Sequence, residues 1–368
     1  MRSYKGKILL LMVVWVGFGG VCALAGGGSM TAKESRARAL ELVDKYAETQ
    51  DKLRSSFISK SKTTNKFKGF IHERPALKKD KLYKTNLKLE LRSDGNRHYG
   101  SHKTWGDRFG MHTTTEEHAC HGYNLWDMNT LYDYNYHPDT PADWPDKNGS
   151  AYLTPKNKLG TSTSNSNIWT SVYGRPGRGF FYGGNVRIDS EMREAETISL
   201  QPEREEINGS ECYVINAKAK GCRYKIWIDP KHNYHIAQAI VERDWWSFSR
   251  PEGYSKKPTP GKSRTVLKNV RFKKVGDVWL PAEFDYTLNK NTVRGDYFQS
   301  HCHHKITKFM INPDHDALRS FEPAFIKNGA MVRIKGLDGI VYTWQDGKLV
   351  DENGKKVDLD KLKVRKRK

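Results

Sequence analysis

Imidazole and thiol groups concentrate in two short stretches, His118-Ala119-Cys120-His121 and His301-Cys302-His303-His304. Together they offer more nitrogen and sulfur than a tetrahedral zinc needs, which makes His118, Cys120, His121, His301 and Cys302 the alternative metal set. Neighbours on a strand point to opposite faces, so at most two of the four residues at 301–304 converge, and no pattern of supporting partners is visible around them. The expectation is no metal and no cofactor. Asp229 is the other group that could act as an acid, but no second carboxylate or His stands near it at a readable spacing. The sequence contains no nucleophile elbow, phosphate loop or zinc-protease helix. It reads as a non-enzyme, with a metal-dependent hydrolase as an alternative.

The same cysteines have a second chemistry that depends on compartment. Arg2, Lys5 and Lys7 precede an apolar run from Ile8 to Val16, and Ala23-Leu24-Ala25 forms a small-residue cleavage site before Gly26. This is the pattern of a secretory leader over 1–25, and it predicts a protein of the periplasm or cell envelope. Cys22 would leave with the leader, so Cys120, Cys212, Cys222 and Cys302 remain as an even set in an oxidising place, with three pairings open. With a tight turn at Lys218–Gly221, Cys222 faces Ala217 and Cys212 lies near Trp227. That puts the two roughly 17 Å apart along the ladder, beyond the ~7 Å reach of a disulfide between Cα atoms. Cys120–Cys302 is the expected pair.

The chain of 368 residues carries a formal charge of +21. The leader holds three of the cations and no acid, so the remainder stays strongly basic. Such a field attracts lipid headgroups, an anionic membrane surface or a wall polymer without specificity. The Lys361–Lys368 run would suggest nucleic acid in a cytosolic protein, but export makes that reading poor. The single Arg-Gly stretch at 175–184 is better read as a loop edge whose aromatics dock back. No nucleic-acid partner is expected. Asn148-Gly149-Ser150 and Asn208-Gly209-Ser210 match glycan acceptors, and the second reads as a turn.

These residues need a scaffold, and its pattern is mostly that of strands. Thr31 and Glu34 form a capping box ahead of Leu40, Val43, Tyr46, Ala47, Leu53 and Phe57, so residues 32–54 are an amphipathic helix. Phe57–Lys68 and Leu82–Arg92 look extended, and Ser93-Asp94-Gly95-Asn96 turns the latter back. Residues 198–311 read as an antiparallel ladder, with corners at Trp227-Ile228-Asp229-Pro230 and Gly276-Asp277-Val278-Trp279-Leu280-Pro281. Asp229-Pro230-Lys231-His232-Asn233 is turn chemistry, in which the carboxylate accepts from backbone N–H groups two residues on. Pro, Gly, Ser, Thr and Asn dominate 138–184, which reads as an irregular insertion. A smaller insertion spans 244–262. Short strands around Met331–Ile334 and Ile340–Trp344 belong to an extension, 321–368, that ends in the basic tail. The half-barrel domain itself is bounded at 26–320.

A leader, an amphipathic helix and antiparallel strands with the Trp-Ile-Asp-Pro and Gly-Asp-Val-Trp-Leu-Pro phrases resemble the bacterial lipoprotein-sorting carriers of the LolA and LolB type. The resemblance spans about 32–311 and is strongest over 198–288. It implies a mainly β (α+β) fold: a curved, incompletely closed antiparallel β-barrel with an N-terminal amphipathic helix, a helical or loop lid, and additional short C-terminal strands. It further implies a cavity for acyl chains or another apolar ligand. On that basis Trp227, Trp279, Phe284 and Tyr286 are candidate cavity positions, although strand alternation places only about half of them on one side. Trp169, Phe180, Phe181, Trp245 and Trp246 are lid candidates. The implied function is an envelope carrier or sensor of a lipid or acylated ligand. A cell-wall or surface polyanion-binding protein is the alternative.

Overall fold

Thr31 opens the first helix as the spacing requires: its hydroxyl accepts from the Glu34 N–H at 3.2 Å, and its own N–H donates to the Glu34 carboxylate at 2.9 Å. The computed structural model describes residues 30–70, 81–108, 111–113, 115–156, 187–219, 221–245, 260–293, 295–337 and 339–359. The leader, Trp169, Phe180, Phe181, Trp246 and the 361–368 tail lie outside the described residues. Helix α1 spans Ala32–Arg54 and buries Ala39, Leu42, Val43, Tyr46 and Leu53. Each large apolar side chain so buried contributes about 1.5–3 kcal/mol. A second helix, α2, spans Ile188–Arg193. Arg193 ties it to α1 through Asp44 at 2.8 Å.

The remaining elements are strands: β1 Phe57–Phe70, β2 Tyr83–Ser93, β3 His98–Arg108, β4 Met111–Thr113, β5 Cys120–Trp126, β6 Thr130–Tyr136, β7 Ser150–Pro155, β8 Thr197–Leu200, β9 Glu205–Ile207, β10 Ser210–Ala219, β11 Cys222–Asp229, β12 His235–Trp245, β13 Pro260–Val275, β14 Val278–Thr292, β15 Tyr297–Ile311, β16 Met331–Ile334, β17 Tyr342–Gln345 and β18 Lys348–Val350. They form one 18-stranded sheet. Strands β10 to β15 pair in sequence as an antiparallel meander, with β8 and β9 on the free side of β10. Strand β15 then pairs with β1, and β1 with β2, so the N-terminal strand joins the meander to a second run, β2, β3, β5, β6 and β7. Among the described residues the pairings do not return from β18 to β8 or β9. The architecture is thus a curved, incompletely closed antiparallel barrel with an N-terminal helix.

The two faces of the sheet carry different cores. Helices α1 and α2 pack on one face against Ile215, Ile226, Ile228, Ala239, Leu267 and Phe284. Directly opposed residues share a face. Following the register from Phe284 through His304, Thr63 and Leu87 shows that Lys62, Lys88 and Lys305 point to the other side. On that other side, Tyr99, Leu125, Tyr134 and Leu153 make a second core with Phe321, Val332, Ile334 and Trp344.

That second core corrects two expectations. Residues 321–359 are not an appended extension, because β16 pairs in parallel with β7, from Met331 opposite Ser150 to Ile334 opposite Leu153. The stretch from 138 is likewise not all irregular, since β7 sits inside it. Its Ala151 and Leu153 are buried on alternate positions, a signal too short to stand out among turn residues.

The β10–β11 hairpin is shifted by two residues from the expected register. Ala219 opposes Cys222 and Val214 opposes Trp227, so two residues rather than four close the turn. Gly221 at φ +76° permits this tight connection. The Asn208-Gly209 pair, at φ +52° and +78°, makes the β9–β10 turn as read from the sequence.

Candidate functional site

The four aromatic cavity candidates divide between positions. Phe284 is buried on the α1 face and stacks on His304 with centroids 4.8 Å apart, and the half-buried Tyr286 packs against the same core. Trp227 lies on the opposite face with Cys212, Val214 and Ala237. Its indole N–H donates to Glu205 at 2.8 Å, and the Lys225 ammonium stands 4.7 Å from its ring centroid. Trp279 sits at the β13–β14 turn, its ring edge-on to His232 with centroids 4.6 Å apart. Trp245 ends strand β12.

Both corner phrases converge on one buried histidine. His235 accepts from the Gln50 amide of α1 at 3.0 Å through Nδ1 and donates through Nε2 to the Trp279 carbonyl at 2.6 Å. The amide nitrogen can only donate and the carbonyl can only accept, so the ring is neutral with its proton on Nε2. Burial drives its pKa down to about 4. This latch, together with the Thr49 hydroxyl donating to the Asn233 carbonyl at 2.7 Å, fixes the C-terminal half of α1 over the sheet.

Asp229 is a turn residue, as its sequence suggests: its buried carboxylate accepts from the Lys231 N–H at 2.9 Å. It also accepts from Ser210 Oγ at 2.7 Å and bonds His232 Nδ1 at 2.6 Å. The expectation that no His stands near it is therefore corrected. A spacing of three across an Asp-Pro turn brings His232 back onto the carboxylate. The serine hydroxyl is engaged by the carboxylate and not by the imidazole, so the group lacks the base–nucleophile contact of an acyl-transfer site.

The thiol and metal expectations meet the sheet register. Cys120, Cys212, Cys222 and Cys302 form no disulfide with one another. Cys120 on β5 and the neighbourhood of Cys302 on β15 are connected through Thr104, Leu87, Thr63 and His304, one per strand. Four inter-strand steps amount to roughly 19 Å, so the expected Cys120–Cys302 bond cannot form without rebuilding the sheet. The same separation keeps His118, Cys120 and His121 away from His301 and Cys302. His118 instead bonds Asp139 at 2.6 Å. Cys302 donates to Asn65 at 3.1 Å, and burial pushes its thiol pKa up to about 11.

One feature of the α1 face is chemically unusual. Arg243 on β12 is 7% exposed, opposes Cys222 and Ser263, and leaves its Nε and Nη2 without a hydrogen-bond partner. The nearby Glu191 carboxylate of α2 is 3.9 Å from Nη2, and its other oxygen accepts from Tyr224 at 2.5 Å. Lys290 on β14 opposes Ser263 from the other side and is 3% exposed. Burial, reinforced by the Arg243 charge, brings the Lys290 pKa down to about 7. The two cations stand one strand apart from each other's strand, about 10 Å between Cα atoms. Thr265, Thr292 and Ser300 are buried close by on the same stretch of strands. Sequence reading missed this group, although Arg243 follows Ala239 and Val241 in phase and Lys290 follows Tyr286 and Leu288. A cation on the inward phase of a strand is the signal.

No protein-family model matches the sequence, and no curated protein matches it. Among solved structures, the MucA/MucB complex of Pseudomonas aeruginosa aligns over 77% of this chain and 96% of its own at 8% identity, with a TM-score of 0.24. A crystal structure of MucB with MucA(peri) aligns over the same shares at 8% identity and a TM-score of 0.22. A hot-dog-fold protein of unknown function from Alicyclobacillus acidocaldarius covers 74% of this chain and 86% of its own, at 8% identity and a TM-score of 0.13. Superpositions at this level carry no argument about the chain. Among the described residues, no helix is long and apolar enough to cross a membrane.

Proposed function

We propose that the chain is an exported cell-envelope protein whose half-barrel takes an amphiphile, a lipid or an acylated ligand, with an anionic head and an apolar tail. The observation that carries this reading is Arg243, a buried guanidinium with two nitrogens that have no hydrogen-bond partner and only a 3.9 Å contact to Glu191, beside a second buried basic side chain. A core filled by side chains alone gains nothing from such a pair, and each buried unpaired polar group costs about 1–3 kcal/mol. A carboxylate or phosphate head bound there would complete the pairing in a medium where charge-assisted bonds are strong. The apolar residues beside it on the α1 face, Leu288, Tyr286 and Phe284, are the natural neighbours of a tail. The leader supports the compartment.

The test is displacement of a fluorescent fatty acid from the mature protein by unlabelled competitors. Affinity is expected to rise with chain length, by up to ~0.8 kcal/mol per buried methylene. It should fall for the methyl ester, and an Arg243→Gln variant should lose the preference for the acid over the ester. Absence of saturable binding at micromolar concentrations, or an Arg243→Gln variant that still prefers the acid, would overturn the reading.

A further inference from the structure

A second surface is independent of the α1 face. The register of β15, β1, β2, β3 and β5 sets Lys305 opposite Lys62, Lys62 opposite Lys88, Lys88 opposite Lys103, and Lys103 opposite His121. Four lysines thus stand in one cross-strand row, with no acid at any of its strand positions, on the sheet face away from α1. Tyr136 continues the row, and the Lys327 ammonium lies 3.3 Å from its ring centroid. Beside the row, Lys66 opposes Lys84 on one strand and His301 on the other, and Lys60 opposes Lys308. Like charges directly opposed across a sheet are destabilising. Chance placement of solvated lysines does not favour four in register.

Acidic residues offset only part of this charge. Lys305 reaches Glu283 and Lys60 reaches Glu90, both at 2.9 Å. Lys62, Lys66 and Lys308 are exposed and have no carboxylate partner among the described residues, and exposed Lys84 meets Asp107 only through its backbone N–H, at 3.1 Å. Glu116, from the loop before β5, shows what the row accepts: its carboxylate bonds Lys88 and stands 3.7 Å from Lys103, bridging two strands. Trp105 neighbours the row, with the Lys88 ammonium 6.0 Å from its ring centroid.

From the register and this internal carboxylate we infer that the exposed face of β15, β1, β2 and β3 is a docking site for an acidic polysaccharide lying across the strands. Each step of the row is about 4.8 Å, a spacing on the scale of one sugar ring. A polymer with a carboxylate on each ring can therefore meet successive lysines, with Trp105 beside them as an aromatic neighbour for the rings. A membrane surface would need no such alignment, because its headgroups are mobile in two dimensions.

The experiment is titration of the full mature protein with polygalacturonate, using a Lys62→Gln/Lys88→Gln variant and a charge-matched Lys273→Gln/Lys274→Gln control on β13. The row variant is expected to bind at least about tenfold more weakly. Its salt dependence should be shallower by roughly two charges' worth of released counterions, whereas the control should bind within about twofold of the parent. Lys62, Lys273 and Lys274 are exposed, and Lys88 is half-buried and paired with Glu116. Relief of repulsion within the row offsets the loss of that surface ion pair, worth under about 1 kcal/mol, so the melting temperature of the row variant should stay close to the parent's. Equal losses in the two variants would reduce the surface to a diffuse field and overturn the site. So would retention on phosphatidylglycerol vesicles without polygalacturonate binding, which would assign the face to a membrane.

Discussion

At the scale of single residues, His235 links the helix to both corner phrases and makes the fold sensitive to acid. Its folded pKa, about 4, lies below the ordinary 6.5 because burial disfavours the charged ring. The unfolded chain therefore takes up the proton first as pH falls, and stability is lost between about pH 6.5 and pH 4. Above that window the penalty is absent. For a fully buried ring the loss is on the order of 3 kcal/mol. His98, bonded to Ser93 at 3.0 Å and held near 4 by burial, acts in the same direction. Urea midpoints recorded from pH 7.5 to 4.5 should fall with acidification, and a His235→Gln variant should show a shallower slope by one proton. An unchanged slope in that variant would show that the ring does not titrate on unfolding.

At the scale of elements, α1 is held by packing rather than by its own sequence. A capping box is worth about 1 kcal/mol, whereas Leu42, Val43 and Tyr46 are buried against the meander. A Leu42→Ala variant should lose about 2–5 kcal/mol by urea denaturation, reflecting lost transfer energy together with the remaining cavity. The neighbouring Glu41→Ala change, on the exposed side of the same turn, should leave the midpoint where it was. Equal effects of the two would show that α1 rests on the sheet without being part of its core.

At the scale of the whole molecule, the C-terminal strands complete the second core. Val332, Ile334 and Trp344 cover Tyr132, Tyr134 and Leu153, and β16 occupies the edge of β7. A chain ended after Asn328 would uncover both an apolar face and a strand edge able to pair with other chains. Such a chain should melt at lower temperature, bind a hydrophobic dye and self-associate on sizing columns. If it melted like the full chain and stayed monomeric, 329–359 would be peripheral to the fold.

Local signals were enough for the elements: the Thr31–Glu34 box started the helix, alternation laid out the meander, and Asp229 and Asn208-Gly209 turned it. These depend on residues close in sequence, where backbone chemistry acts directly. What the sequence could not supply was the order of distant strands. Strand β1 joins β15 to β2, which puts four strand steps between Cys120 and Cys302 and brings four lysines from four separate segments into one row. The β10–β11 register moved by two residues because the choice between a two- and a four-residue turn is decided by which side chains can be buried together. The burial of Arg243 and Lys290 follows from the same cause, since the α1 face exists only once helix, meander and inward phase have been assembled.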